Sequence, residues 1–203
     1  MNAGRFAHAL EIAAARGSGQ DRALVFERGD GVVITLADGA GGTGNGAVAA
    51  QAVIDAVASA ADAADLCELL ADLDHNGARL GHGQTTAVIL AVKPDGMAGV
   101  SVGDSGAWLV TDDEIVDLTQ GQIRKPLVGS GCEPVAIRAG AIGHGTLLVA
   151  SDGLLRCGRR QDIACIARGP DLAASARALV DLVRLPTGSL QDDVAIVLCR
   201  ELA

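Results

Sequence analysis

Apolar positions along the chain fall into two patterns, and their order predicts a layered fold. Short β-branched runs, such as Gly31–Ala37 (GVVITLA) and residues 84–92 (QTTAVILAV), predict strands, because branched side chains suit the pleated surface of a sheet. Further strands are predicted at residues 4–15, 22–28, 97–102, 107–111, 114–118, 146–150 and 194–199. Apolar spacing predicts helices at residues 47–61, 63–73, 160–168 and 171–184. The strands come in antiparallel-looking runs with helices grouped between them, which favours an α+β fold.

The length of the chain fits a single domain, which we take as residues 1–203. Residues 119–134 are rich in Gly and Pro and are predicted to form a loop. Aromatic residues make up only 1% of the chain, so the core must be built from Ala, Val, Leu and Ile. The near absence of aromatic rings and the net charge of -9 both argue against a nucleic-acid partner, whose bases need stacking surfaces and whose phosphates need cations.

The chain also shows no sign of a membrane or export segment. No apolar run reaches the roughly 18 residues that a membrane-spanning helix needs. The apolar N-terminus is interrupted by Arg5, His8 and Glu11, and it lacks the pattern of a signal peptide. Five scattered cysteines without a Cys-x-x-Cys pair are typical of reduced thiols. We therefore expect a cytoplasmic protein with no membrane partner.

One sequence pattern occurs four times: an aspartate lies at the end of a predicted apolar strand. Asp38, Asp104 and Asp152 follow predicted strands, and Asp192 precedes one. Gathered at one edge of a sheet, four carboxylates would repel each other unless divalent cations neutralised them. Oxygen ligands without His or Cys favour Mg²⁺ or Mn²⁺ over Zn²⁺. Asp-Gly is also a common turn dipeptide, so these residues alone leave a metal cluster and a set of turns both open.

Six short motifs, read in order, resemble the motif set of the protein phosphatase 2C (PPM) family. The resemblance extends over about residues 4–200. The motifs are Arg16…Gln20-Asp21, Asp38-Gly39-Ala40-Gly41-Gly42, Gly83-Gln84-Thr85-Thr86-Ala87, Gly103-Asp104-Ser105-Gly106, Ser151-Asp152-Gly153-Leu154 and Asp192-Asp193. The resemblance implies a four-layer α/β/β/α sandwich of two antiparallel sheets, with a cluster of two or three Mn²⁺ or Mg²⁺ ions in a cleft at one edge.

The family resemblance also implies a set of metal ligands. Asp38 matches the carboxylate that bridges two metals, and the carbonyl of Gly39 matches a ligand of the second metal. Asp152 and Asp192 match ligands of the first metal. Asp104 resembles the residue that, together with Asp152, holds a third and weaker metal in bacterial members.

Two further residues match catalytic positions of the family, and three positions depart from it, among them Gln20, which stands where a glutamate is often found. Asp21 matches the acid that orients metal-bound water, and Arg16 matches the arginine that grips the substrate phosphate. Ala40 stands where many eukaryotic members have a histidine, so a histidine general acid is missing. Gly106 stands where an arginine is usual.

The resemblance implies a metal-dependent serine/threonine phosphatase that acts on a phosphoprotein. The expected reaction is direct attack by a metal-activated water, without a phosphoenzyme. The interval between Asp104 and Asp152 is too short for the flap subdomain of full-length members, so we expect the flap to be absent, as in small bacterial regulatory phosphatases. The alternative is a non-catalytic relative that binds a regulatory partner.

Other interpretations of the same residues have less support. The glycines at 39, 41 and 44 match a dinucleotide fingerprint, but no second parallel strand follows them at the required distance. Asp74 is predicted to lie on a helix surface. Whether Asp193 belongs to the metal site or has a structural role stays open.

Overall fold

The computed structural model describes residues 5–61, 65–81 and 83–202. In chain order the strands are β1 (Phe6–Ala13), β2 (Arg22–Arg28), β3 (Gly31–Ala37), β4 (Ala87–Lys93), β5 (Gly96–Val102), β6 (Gly106–Val110), β7 (Ile115–Asp117), β8 (Val135–Ala139), β9 (Thr146–Ala150) and β10 (Val194–Glu201). The helices are α1 (Gly46–Ser59), α2 (Leu66–Leu80), α3 (Asp152–Leu155), α4 (Arg160–Ala167) and α5 (Leu172–Leu182), with a short 3₁₀ turn at Gly41–Thr43.

The strands form two five-stranded antiparallel sheets. One sheet has the order β1-β10-β9-β6-β7, and the other has the order β2-β3-β4-β5-β8. Helices α4 and α5 pack on the outer face of the first sheet, and α1 and α2 pack on the outer face of the second. A third apolar cluster fills the space between the two sheets. This arrangement confirms the predicted α+β sandwich with helices on both sides.

Burial on both faces explains why the sequence signal for the central strands is strong. Every residue of β3 and β9 is buried, because one face of each strand packs between the sheets and the other packs under helices. Such strands carry continuous apolar runs rather than alternating ones. The edge strand β1 alternates between more and less exposed positions, as expected for a strand that lies at the border of its sheet.

The structure differs from the predicted elements in three places. Strand β8 was not predicted, because its sequence VAIRA is short and lies at a sheet edge directly after the Gly/Pro-rich loop. Helix α2 continues to Leu80, beyond the predicted end at residue 73, through a segment containing Asp, His, Asn and Gly, which are weak helix formers. Helix α3, a single turn after β9, was also missed. The predicted starts at residues 4 and 63 lie outside the described residues.

All five cysteines are free thiols. In the part of the chain that the structure describes, no helix combines the length and the apolar character needed to cross a bilayer.

The segment between β7 and β8 is fastened to the rest of the fold. Thr85 and Val128 exchange two backbone hydrogen bonds of 3.1 and 3.0 Å. Asp74 on α2 accepts the backbone N–H groups of residues 129–132 at 2.7 to 3.2 Å. Partial burial raises the pKa of Asp74, but these four N–H donors outweigh it and hold the pKa below its ordinary value. Asp74 lies half-buried on α2, in agreement with the predicted helix surface, and its carboxylate has the additional role of organising the neighbouring loop.

Asp74→Ala should destabilise the protein by about 1–3 kcal/mol at neutral pH, because four backbone donors lose a charged acceptor. Asp72→Ala, which changes an exposed aspartate on the same helix, is the matched control. Urea unfolding of both variants measures the difference. Because the pKa of Asp74 is lowered on folding, its contribution should be present at neutral pH and disappear as the pH falls through that lowered pKa. Equal stability of the two variants would contradict this role.

Candidate metal centre

The four aspartates predicted from strand ends meet in one cleft at an edge of the two sheets. Asp38 follows β3, Asp104 lies between β5 and β6, Asp152 begins α3 directly after β9, and Asp192 precedes β10. All four line a single cavity of about 260 Å³, together with Gly39. The fold therefore brings together five of the residues predicted as metal ligands, from four separate parts of the chain.

Two threonines hold the Asp38–Gly39 segment in place. The backbone N–H of Asp38 donates to the Thr86 hydroxyl at 2.9 Å, and the N–H of Thr86 donates back to the Asp38 carbonyl at 2.9 Å. The Thr85 hydroxyl also donates to that carbonyl at 2.9 Å. Gly39 packs directly on the backbone of Gly46 at the start of α1, where any Cβ would overlap the Gly46 carbonyl group. The two threonines of the Gly-Gln-Thr-Thr-Ala motif thus fix the backbone of the Asp38–Gly39 segment.

A second close contact holds Asp152 beside Asp192. A Cβ on Gly153 would overlap the backbone carbonyl oxygen of Asp193, so only glycine allows these two segments to approach so closely. The Ser151 hydroxyl accepts the N–H of Ala195 at 2.9 Å and fixes the same junction. The start of α3 and the start of β10 are therefore locked together at the cleft.

Asp193 has a structural role in this conformation. Its carboxylate accepts the backbone N–H groups of Ala15 and Gln20 at 2.7 and 2.6 Å, which ties the turn between β1 and β2 to the start of β10. That turn carries both Arg16 and Asp21. These two hydrogen bonds support a structural role for Asp193, one of the two alternatives that the sequence left open.

Asp21 lies buried behind the cleft and is 1% exposed. Neither of its carboxylate oxygens makes a hydrogen bond of good geometry, although Ser151 and Asp38 lie close enough to affect its pKa. Burial raises the pKa of Asp21 to about 7, and the negative charges of Asp193 and Asp192 add to the effect.

The pKa of Asp38 is raised further than that of Asp21. Burial raises the pKa of Asp38 to about 9, with further contributions from the charges of Asp21, Asp152 and Asp192. Burial also raises the pKa of Asp192. Carboxyl groups that ionise this reluctantly are stabilised by bound divalent cations, and a donor set made only of oxygen atoms fits Mg²⁺ or Mn²⁺. The unsatisfied oxygens of Asp21 and the charge conflict at Asp38 therefore fit the predicted metal site.

Arginines already pair with two of the cleft carboxylates. Nε of Arg124 lies 2.5 Å from Oδ2 of Asp104, and Nη1 of Arg156 lies 2.7 Å from Oδ2 of Asp152. Nη2 of Arg124 lies 4.0 Å from the same Asp152 oxygen. Among the described residues, no three His, Cys, Asp or Glu side chains are grouped so that they could hold a metal ion as they stand. Metal binding would therefore require these side chains to rearrange.

Three cations at the cleft have no counterpart among the residues predicted from the sequence. Arg124, Lys125 and Arg156 all line the cavity. Arg156 could have been found, because it stands four residues after Asp152 at the end of a helical turn, where opposite charges meet. Arg124 and Lys125 lie in an irregular loop, and no periodicity indicates where such residues point.

Two more positions from the sequence comparison remain: Arg16, which matches the family motif, and Gly106, which differs from it. Arg16 lies exposed in the turn after β1, and it is not among the described residues that line the cavity. Its role in gripping phosphate stays a prediction. A Cβ on Gly106 would lie 2.8 Å from Cδ1 of Leu155 and 3.1 Å from Oγ1 of Thr119, so the arginine that is usual there would require the Leu155 side chain to move.

Solved structures of bacterial serine/threonine phosphatases share this fold. The catalytic domain of the phosphatase PstP, solved in complex with two manganese ions, superposes with a TM-score of 0.80 at 22% identity, covering 98% of this chain and 99% of that chain. Stp1 from Staphylococcus aureus gives a TM-score of 0.80 at 19% identity, covering 98% of this chain and 95% of its own. PppA, a regulatory component of the type VI secretion system in Pseudomonas aeruginosa, gives 0.78 at 17% identity over 97% and 98% of the two chains.

At these identities the comparison establishes the fold. The chain has the architecture of the bacterial PP2C-type serine/threonine phosphatases, and the resemblance drawn from the six motifs is confirmed at that level. No protein-family model matches the chain, and no curated protein matches it significantly.

The metal-free protein should lose stability as the pH rises. The pKa values of Asp21 and Asp38 rise on folding to about 7 and about 9, so both groups contribute most to stability at low pH, and that contribution is lost as the pH increases through these values. Urea unfolding in EDTA at pH 6 and pH 8.5 should show the decrease. Asp38→Asn removes one of the conflicting charges and should flatten the dependence, whereas Asp112→Asn, on an exposed hairpin tip, should preserve it. A wild-type stability that does not change between these pH values would contradict the charge conflict.

Proposed function

We propose that this protein is a metal-dependent serine/threonine phosphoprotein phosphatase of the PP2C type. The observation that carries the proposal is the convergence of Asp38, Asp104, Asp152 and Asp192 in one cleft, with the buried Asp21 behind them. Burial, together with the charges of neighbouring carboxylates, raises the pKa values of Asp21 and Asp38, and a bound cation would relieve both effects. Phosphatases with the same fold support the choice of reaction.

The proposed cofactors are two or three Mn²⁺ or Mg²⁺ ions. Asp38, the Gly39 carbonyl, Asp152 and Asp192 would hold two of them, and Asp104 would help to hold a third. When bound, such ions lower the pKa of water and offset negative charge on a phosphoryl group.

The side chains of the chain itself suit a direct hydrolysis. Asp21, whose pKa is raised to about 7, can hold or accept a proton beside Asp38 near neutral pH. Among the described residues that line the cavity, the only hydroxyl is that of Thr86, which already contacts the Asp38 N–H and the Ser105 hydroxyl. This favours water over a side-chain nucleophile. Arg16 is the proposed phosphate-binding residue.

The proposed substrate is a phosphoserine or phosphothreonine protein in a cytoplasmic signalling pathway. The cleft is bordered on one side by Arg124 and Lys125, which suit an anionic substrate. We further propose that residues 1–203 form one domain and that the short loop between β7 and β8 stands in place of a flap subdomain. The alternative, a non-catalytic relative that binds a regulatory partner, is separated from this proposal by the activity test below.

Asp38→Asn should lower the rate of phosphate ester hydrolysis by roughly a thousandfold or more, because Asp38 would help to hold both ions and its loss would remove several kcal/mol of transition-state stabilisation. The assay is p-nitrophenyl phosphate and phosphopeptide turnover at saturating Mn²⁺. Asp112→Asn is the control for a surface charge and should retain the wild-type rate. Wild-type turnover by Asp38→Asn would refute the proposed site, and a folded wild type that binds Mn²⁺ without turnover would favour the non-catalytic alternative.

Mn²⁺ should raise the melting temperature of the wild type by roughly 6–16 °C. Binding to the native state alone contributes about 3–4 kcal/mol at 100 to 1,000 times the dissociation constant, and each kcal/mol corresponds to about 2–4 °C in a domain of this size. Asp152→Ala should reduce the shift, because it removes a proposed ligand. Thermal melts with EDTA or Mn²⁺ measure both effects. If the aspartates only form turns, neither protein will respond to Mn²⁺.

A further inference from the structure

The guanidinium of Arg124 lies beside the carboxylates that are proposed to bind a metal ion. It contacts Asp104 directly and approaches Asp152, and these two carboxylates are the proposed ligands of the third metal. We propose that Arg124 is a built-in competitor of the divalent cation at Asp104: it neutralises this carboxylate in the metal-free protein and has to leave it when the ion binds. The inference rests on the proposed metal site.

The loop that carries Arg124 is positioned by contacts on both sides of it. Before Arg124, the Gln122 amide donates to the Ser105 carbonyl at 3.5 Å. After it, Val128 pairs with Thr85. Asp74 then holds the backbone of residues 129–132. The backbone of the loop therefore holds Arg124 beside the cleft, while its long side chain is 63% exposed and has solvent to move into when it leaves Asp104.

Lys125 provides a natural comparison. It lies in the same loop and lines the same cavity, but among the described residues it makes no ion pair with any carboxylate. Neutralising Lys125 thus changes the electrostatic potential of the cleft without breaking a contact to Asp104. Neutralising Arg124 does both. The difference in metal affinity between the two substitutions therefore measures the competition between Arg124 and the metal ion for Asp104.

The expected effect is modest, because Arg124 is largely exposed and water screens its ion pair. Pairs of this kind change an equilibrium by roughly two- to fivefold. The competition should weaken only the site that uses Asp104. Ions held mainly by Asp38 and Asp192 should be less affected, since Arg124 makes no ion pair with either residue in the described structure. Arg156, which pairs with Asp152, is the other cation facing this group and stays unchanged in the test.

The test is isothermal titration calorimetry with Mn²⁺ on the full chain. Arg124→Gln should tighten the weakest Mn²⁺ site by about two- to fivefold relative to Lys125→Gln. In an Asp104→Asn background the Arg124→Gln substitution should have no such effect, because the contested carboxylate is gone. Equal affinities of Arg124→Gln and Lys125→Gln, or the same Arg124→Gln effect with and without Asp104, would overturn the inference.

A second measurement follows the guanidinium itself without any activity assay. In the wild type, the NMR signal of the Arg124 Nε–H group should shift when diamagnetic Mg²⁺ is added, and the shift should follow occupancy of the weakest site. A signal that stays unchanged through saturation contradicts the displacement. If neither wild type nor any variant binds a divalent cation, the proposed function fails and the inference with it; if wild type binds and Arg124→Gln behaves as Lys125→Gln, only the inference fails.

Discussion

The carboxyl groups at the cleft cannot all carry their charge, and the rest of the site is arranged around this conflict. The metal-free chain relieves it in three ways. The pKa of Asp38 rises to about 9, so that this group stays protonated at neutral pH. Asp104 and Asp152 pair with arginines. Asp192 remains exposed to water. None of these solutions satisfies the buried Asp21, whose oxygens lack good hydrogen bonds.

A fold tolerates such a conflict only where the backbone is strongly fixed, and here glycine and hydroxyl residues supply that rigidity. Gly39 against Gly46, and Gly153 against Asp193, are contacts that leave no space for a Cβ. Thr86 and Ser151 anchor the two segments with hydrogen bonds. The motifs therefore contain two kinds of residue: the acids bring the charge together, and their small neighbours keep the backbone segments in contact. The stability for this comes from the three apolar clusters behind the cleft.

The sequence could reveal the central strands and the acids at their ends, because both have local causes. Strand β3 carries an unbroken apolar run since both its faces are covered, and Asp38 marks the point where that burial ends. The loop contacts have no such signature. Asp74 binds backbone N–H groups, which every residue offers, so nothing in the identity of residues 129–132 indicates the partner. Arg124 reaches Asp104 only because that same loop is folded back over the cleft.

The cations at the cleft contrast with the acidic composition of the whole chain. A chain with a net charge of -9 repels phosphate at long range, and screening by salt limits that repulsion to about 10 Å. At the cleft, Arg124, Lys125 and Arg156 place three positive charges beside the four aspartates. There they reduce the cost of gathering like charges. Arg124 and Arg156 offset the charge of Asp104 and Asp152, so a divalent ion at these two carboxylates would have to compete with both arginines.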